Sequence, residues 1–269
     1  MLPKIDEVRE AIVSAAKQEL LPRFAKAAVS LKTDGSMVTE ADVAMQRRVR
    51  DVFAARWPEY ALLGEELPEA EQARLLGSAG PGLWCLDPID GTTNFAVGIP
   101  YYSTSLALLV GGESVLGVVY DPEHNLCYTA VKGKGAHLNG VPLDGRRARP
   151  SLAGGVGLID FKRLPPALAA RLATDPPYVS QRSFGSSALD WCTLAAGQCH
   201  CYLHGKQMIW DYAAGHLILA EANGCSATLD GDPVFRNELK PRSVVAAPNR
   251  SLFEEWLAWL DIGPAGASG

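Results

Sequence analysis

Two aspartates stand three residues apart in the stretch WCLDPIDGTTNFAVG, residues 84–98, where an apolar run gives way to Gly-Thr-Thr-Asn. Asp-Pro and Asp-Gly are ordinary turn formers, because an aspartate side chain bonds its own backbone two residues on. Pro88 adds a constraint: it forces extended geometry on Asp87 and fixes the chain after it. A tight bend then brings the carboxylates of Asp87 and Asp90, with the Ile89 carbonyl between them, to one point. Held about 3 Å apart in a dry cleft, two carboxylates repel and one tends to protonate. A hard divalent cation removes that cost. Mg2+ takes oxygen ligands in octahedral geometry and keeps some waters, and Asp, Glu and a backbone carbonyl supply such a set.

The residues that follow point to phosphate. A helix starting at Gly91-Thr92-Thr93-Asn94 turns unpaired backbone donors outward beside the acid pair, which makes a seat for an anion. Gly91 lets the anion approach the backbone, and Thr92 offers a hydroxyl. Carboxylates alone would repel phosphate, so acids beside such a nest imply metals between them. The chemistry is that of a phosphoester hydrolase in which two or three Mg2+ ions bind the phosphate oxygens and activate a water. Thr92 does not read as a covalent nucleophile, because none of the five histidines sits in a serine- or cysteine-hydrolase motif. Other acids join the pair, each with a bland reading of its own. Glu65 and Glu66 could be solvated at a strand end, Asp211 an N-cap, and Asp42 a capping acid with Thr39.

These residues need elements to hold them. Ile5, Val8, Ile12, Leu20 and Phe24 recur at near-helical spacing and predict a helix over 4–26. Thr39 reads as the N-cap of a second helix with Val43, Val49 and Val52 or Phe53 inside, ended by Pro58. STSLALLV, ESVLGVVY and LCYTAV predict an antiparallel meander, and GVGLI adds a short strand. A weak helix over 161–174 is interrupted by Pro165-Pro166. SSALDWCTLAAG reads as a helix, CHCYLHG as a strand, and WDYAAGHLILAEANG as a long helix stopped by Gly224. Ser251 with Glu254 forms a capping box for FEEWLAWL. Helices flank strands without the regular alternation of a doubly wound sheet, so helix layers packed on a mixed or antiparallel sheet are expected. The chain reads as one domain over 1–269, possibly in two lobes of about 1–145 and 146–262, with residues 263–269 as a frayed tail.

Composition narrows the class. A chain of 269 residues with 48% apolar content is long enough for a large core. No stretch reaches the roughly 20 apolar residues of a membrane span, and the amphipathic, acid-bearing start is no signal peptide, so a cytoplasmic location is expected. With 25 Lys and Arg against 30 Asp and Glu, there is no electrostatic case for nucleic acid. The basic run GRRARP, 145–150, reads as a surface loop. Six scattered cysteines read as buried thiols in a reducing compartment. Cys199, Cys201 and His204 lack the spacing of a zinc site, with no CxxC pair beside them.

GEE at 64–66, WCLDPIDGTTNF at 84–95 and WDYAAGHLILAEANG at 210–224 together resemble the inositol monophosphatase family of Mg2+-dependent, lithium-sensitive phosphatases. KTDGSMVTEAD at 32–42 and RSFGSSALDWC at 182–192 extend the resemblance. It implies an α/β fold layered α-β-α-β-α, as in the sugar phosphatases, and a homodimer. It implies Glu65, Asp87 and the Ile89 carbonyl as ligands of a first metal, and Asp87, Asp90 and Asp211 as ligands of a second. Glu65 would help hold a third, and Asp42 would support the cluster from outside. Glu65 and Thr92 would orient the attacking water, Gly91 and Thr92 would donate to the phosphate, and Asp90 would lie near a substrate hydroxyl, giving it a catalytic and a binding role. Asp211, Ser187 and His204 complete the implied substrate surface.

The substrate implied is a small phosphorylated polyol, inositol 1-phosphate first. A glutamate that meets the inositol hydroxyls usually stands about six residues before the Trp-Asp pair; here His204 occupies that place, Ser187 falls at a small substrate-contacting position, and Lys206 could add positive charge at the mouth. Histidinol phosphate, a nucleotide 3'-phosphate or a sugar phosphate stay open. So does a role in another class, a regulatory or RNA-machinery partner that keeps the fold.

Overall fold

The computed structural model describes residues 2–31, 37–78, 80–148 and 151–263. Residues 32–36 of the KTDGSMVTEAD stretch, Arg149 and Pro150 of the basic run, and residues 264–269 of the expected tail lie outside the described residues.

Helix α1 (Ile5–Glu19) buries Val8 and Ile12 on one stripe. It is shorter than its apolar spacing predicts. Pro22 has no N–H to continue the ladder, so the chain passes into a 3-10 turn, Leu21–Arg23, and Leu20 and Phe24 reach the core from beyond the helix. Helix α2 (Glu40–Arg56) begins where Thr39 predicts, and Val49 and Phe53 lie inside. Val43, expected inside as well, is 55% exposed. Six residues are about 1.7 turns, so Val43 and Val49 point to different sides.

Seven strands form the larger sheet: β3 (Ala61–Gly64), β4 (Leu83–Asp90), β5 (Ser103–Val110), β6 (Glu113–Asp121), β7 (Leu126–Val131), β8 (Ala136–Leu138) and β9 (Val141–Pro142). They lie in sequence order, β3 parallel to β4 and every later pair antiparallel, so the expected meander is present. A two-stranded ribbon, β1 (Val29–Leu31) with β2 (Met37–Thr39), stands apart from it. The second sheet has the order β11 (Ser180–Arg182), β10 (Val156–Asp160), β12 (Cys201–Gln207), β14 (Arg242–Ala247), β13 (Cys225–Ala227). There β10 runs parallel to both its neighbours and β14 antiparallel to both of its own.

The side-chain alternation of strands sets the layers. In β4, Trp84 and Leu86 join the core under α1 and α2, while Cys85 faces the opposite core with α6 (Ser187–Ala195) and α7 (Ile209–Glu221). In β12, Tyr202 meets that same helix pair, while Leu203 faces α5 (Pro166–Thr174) and α8 (Arg250–Trp259). The order is therefore helices, seven-stranded sheet, helices, five-stranded sheet, helices: the α-β-α-β-α arrangement that the resemblance implies. Helices α3 (Glu69–Leu76) and α4 (Thr92–Val97) are short connectors.

Two helix-end signals differ from expectation. Asn223, at φ 71°, takes the left-handed position after α7; Gly224 instead gives room, since a Cβ there would strike the Leu219 side chain. Helix α8 starts at Arg250, so its cap is Asn249, whose Oδ1 accepts from Leu252 N–H at 3.0 Å. Ser251 is already inside the helix. The weak helix over 161–174 resolves into a 3-10 turn, Phe161–Arg163, and α5, with Pro166 in its first turn where its missing N–H costs nothing. Five cysteines are buried and Cys225 is half-buried; all six are free thiols. Among the described residues no helix is long and apolar enough to cross a membrane.

Candidate active site

Strand β4 carries both central aspartates to its C-terminal end, where the ladder to β5 breaks register between Asp87 and Asp90. Pro88 lies in that irregularity. The Asp87 side chain closes the predicted turn, its Oδ1 accepting from Ile89 N–H at 3.0 Å. Gly91 follows at φ 97°, and a Cβ on it would press on the carbonyls of Gly185 and Tyr101, so only glycine turns the chain here. Helix α4 begins at Thr92, as the motif predicts, and its first-turn N–H groups have no partner within the helix. Thr92 Oγ1 donates to the Ile89 carbonyl at 2.9 Å and lies 3.4 Å from Asp42 Oδ1.

The other acids arrive from three more elements. Glu65 follows β3, its backbone pinned by a bond to Leu86 O at 3.1 Å and by Gln72 Nε2 on its carbonyl at 2.9 Å. Asp42 sits in the first turn of α2 and Asp211 in the first turn of α7. Both reach back over their helix start: Asp42 Oδ2 takes the Thr39 N–H at 2.7 Å and its hydroxyl at 2.6 Å, and Asp211 Oδ2 takes the Met208 N–H at 2.8 Å. Asp42 therefore caps α2 together with Thr39 as read, whereas Asp211 is not the N-cap: that residue is Met208, and Asp211 bonds back to it from the third helical position. For Asp87 and Asp211, one carboxylate oxygen is committed to the backbone and the other has no protein donor among the described residues.

Electrostatics show that these acids share a site. Burial pushes the Asp87 carboxyl well above the usual carboxylate range, and the charges of Glu65, Asp90, Asp211 and Asp42 push it the same way. Burial, then Asp90 and Glu65, raise Asp211, against the Met208 N–H and the Arg163 guanidinium. Burial lifts Asp42 to about 7 despite its bonds from Thr39. A cluster of oxygen ligands that raise one another's proton affinity is what a hard cation relieves. Among the described residues, no three His, Cys, Asp or Glu side chains are yet gathered in an arrangement that could hold an ion.

Asp90 is placed differently from its neighbours. Its Oδ2 accepts from Ser186 Oγ at 2.5 Å and from Ala188 N–H at 2.7 Å, and its Oδ1 from Ser187 Oγ at 3.0 Å. It caps the start of α6 from 98 residues away. Ser187 thus lies beside Asp90. His204 is buried and has both ring nitrogens occupied: Nε2 lies 2.9 Å from Asp160 Oδ2, and Nδ1 accepts the Lys206 N–H at 3.2 Å. It does not present a free nitrogen to a polyol. At the neighbouring His200, Nδ1 accepts from Val156 N–H at 3.0 Å.

The sequence model of the inositol monophosphatase family matches residues 1–261. The chain belongs to that family. The Nus factor SuhB of Pasteurella multocida is 37% identical over 75% of this chain and 75% of its own length. An inositol-1-monophosphatase of Rhizobium meliloti is 33% identical over 76% of each. The crystal structure of an IMPase/NADP phosphatase complexed with Mg2+ and phosphate is 26% identical, covers 98% of this chain and 97% of its own, and superposes with a TM-score of 0.81.

Within this member of the inositol monophosphatase family, several contacts around the site had no signal in the sequence. Asn94 donates through Nδ2 to both the Tyr101 and Phe184 carbonyls at 2.7 Å, tying α4 to the loop before α6. Ser186 and Asp160 are likewise joined to named residues only through space. The short RSFGSSALDWC match was the one hint that residues near 186 belong to the site.

Proposed function

We propose that the chain is a Mg2+-dependent phosphomonoesterase acting on a small phosphorylated polyol, with inositol 1-phosphate the first substrate to assay. The observation that carries this is Asp87, buried among the charges of four other carboxylates beside the open first turn of α4. Glu65, Asp87, the Ile89 carbonyl, Asp90 and Asp211 would hold two or three Mg2+ ions, which when bound neutralise the phosphate and activate a water. The oxygens of Asp87 and Asp211 that the backbone leaves open suit that role. Gly91 and Thr92 offer backbone N–H groups to the phosphate. Thr92 spends its own proton on Ile89 O, so its lone pairs are left to accept from a water that Glu65 would hold from the other side. Asp42 is held through Oδ2 by Thr39, and its Oδ1 lies 3.4 Å from that hydroxyl as the more distant alternative acceptor. Phosphate release from a panel of inositol, histidinol, nucleotide and sugar phosphates, with Mg2+ and with EDTA, tests the reading. Release that EDTA leaves unchanged would refute it.

A second reading comes from the relative named a Nus factor: a regulatory partner that keeps the fold. A stoichiometric companion recovered with the chain from lysate, together with no phosphate release from any panel member, would favour it.

A further inference from the structure

Strand β3 ends at Gly64, and the turn that follows closes through the Leu67 N–H on the Gly64 carbonyl at 3.2 Å, with Glu65 and Glu66 at its corners. The backbone of this turn is taken up by protein rather than left to water. The Glu65 N–H donates to Leu86 O at 3.1 Å, which ties the turn to the residue before Asp87. Gln72 of α3 donates through Nε2 to two carbonyls, that of Gly64 at 3.2 Å and that of Glu65 at 2.9 Å. Gln46 of α2 accepts the Glu66 N–H on Oε1 at 3.0 Å. From the Gly64 carbonyl to the Glu66 N–H, every backbone polar group of the turn is therefore bonded.

Three of those bonds come from two buried glutamines. Burying a long amide side chain costs both rotamer freedom and solvation, so its bonds mark a backbone that has to be held. Gly64 makes room for the arrangement, since a Cβ there would overlap Gln46 Oε1. Gln46 also stands one helical turn after Asp42, on the same face of α2. Asp42 Oδ1 in turn lies 3.4 Å from Thr92 Oγ1 at the start of α4. One face of α2 thus meets both the Glu65 turn and the first residue of α4, while β4 holds the turn from the other side. With its N–H and its carbonyl both fixed, Glu65 keeps only side-chain rotation with which to place its carboxylate.

We propose that Gln46 and Gln72 are positioning residues, which hold the Glu65 backbone in the orientation from which its carboxylate shares a divalent cation with Asp87. The inference rests on the phosphatase reading for the identity of that cation. Neither glutamine is a ligand or touches the reacting atoms; each acts through the backbone of Glu65.

The test uses the full-length chain and reads three quantities: the Mg2+ Kd by calorimetry without substrate, Tm in EDTA, and kcat and KM on any phosphate monoester that is turned over. Gln46→Met and Gln72→Met keep the side-chain length and remove the bonds. Each is expected to raise the Mg2+ Kd about 10-fold, the scale on which groups that orient metal ligands act, and to lower kcat more than it changes KM. Gln46→Glu keeps the acceptor that the Glu66 N–H uses and is expected to recover an affinity at or above the wild-type level. Gln72→Glu loses both donors and is expected to stay weak. Each of these two adds one negative charge, so charge alone would move them together and only the bonds separate them. A lowered Tm with the Mg2+ Kd unchanged in both Met variants would reduce the glutamines to a structural role and overturn the proposal, as would equal affinities in the two Glu variants. The expected affinity pattern in a chain that releases no phosphate from any substrate would support the proposal and count against the phosphatase reading alone.

Discussion

Replacing Asp90 by Asn separates what this carboxylate does for the fold from what it does for chemistry. As a carboxylate it accepts three hydrogen bonds at the start of α6, from Ser186, Ser187 and the Ala188 N–H. Bonds to a charged acceptor contribute about 1.5–3 kcal/mol each against about 1 kcal/mol for a neutral one. Losing the charge therefore costs on the order of 1.5–6 kcal/mol over three bonds. The amide keeps one acceptor oxygen, best used by Ala188 N–H, and its NH2 can donate to a serine hydroxyl. Against this loss stands a gain. The charge of Asp90 raises both Asp87 and Asp211, and its own carboxyl is raised by burial, so removing it relieves a repulsion that acts against this loss. The two effects oppose each other in the metal-free protein. Asp90→Asn is thus expected to melt within about 4 °C of the wild type in EDTA, to gain less from Mg2+, and to lose nearly all Mg2+-dependent phosphate release. Scanning calorimetry with and without Mg2+, beside a phosphate assay, reads all three. Turnover within tenfold of the wild type would remove Asp90 from the chemistry. A fall of more than about 10 °C in EDTA would show that the α6 cap dominates and the repulsion argument is wrong.

Three further outcomes follow from the same geometry. Asp42 is raised from 3.8 to about 7, so its contribution to metal-free stability is full below about pH 4 and is lost as pH climbs through 7, and Asp87 and Asp211 are shifted in the same direction. A divalent cation needs these groups ionised. The Mg2+-induced rise in Tm should therefore be larger at pH 8 than at pH 6, and the reverse order would exclude the acids as ligands. Asn94→Ala leaves two part-buried carbonyls, at Tyr101 and Phe184, without their donor and is expected to cost about 1–3 kcal/mol in urea unfolding; a loss below about 0.5 kcal/mol would mean the α4–α6 tie is not structural. Gly215→Ala places a Cβ 2.5 Å from Trp191 Cβ, where α7 crosses α6. Overpacking there should cost about 1–3 kcal/mol, with a matching drop in Tm, and an unchanged Tm would show that the two helices are free to part.

What could be read from the chain was whatever its neighbours in sequence determine. Pro88 and Gly91 fix the turn at the end of β4, Thr39 and Asp42 fix the start of α2, and the period-2 runs fix the meander; each is a matter of backbone sterics or of bonds spanning a few residues. Helix ends were read less well. Ser251 and Glu254 have the right spacing for a capping box, but Asn249 caps two residues earlier, and Glu254 lies instead beside Arg250 one turn away at 3.7 Å. The role of His204 was the clearest gap. Its partner Asp160 lies 44 residues off on the neighbouring strand, and only the parallel register of β10 and β12 brings the two together. Val43 was assigned to the core on residue type alone, whereas the helical phase puts it in solvent.

The placement of the acids has a common physical reason. Each stands at a strand end or in the first turn of a helix: Glu65 after β3, Asp87 and Asp90 at the end of β4, Asp42 in α2, Asp211 in α7. Those are the positions where unpaired N–H groups and the positive end of a helix make a buried carboxylate tolerable without a cation. Thr39, Ile89, Met208 and Ala188 each give a backbone N–H to one of the four aspartates. The same bonds that permit burial fix the carboxylates' direction. Neutralising them with lysines would stabilise the fold more, yet would leave no oxygen for a metal. Under the proposed reading, the acids are held by backbone dipoles instead, which would leave their mutual repulsion for a divalent cation to relieve.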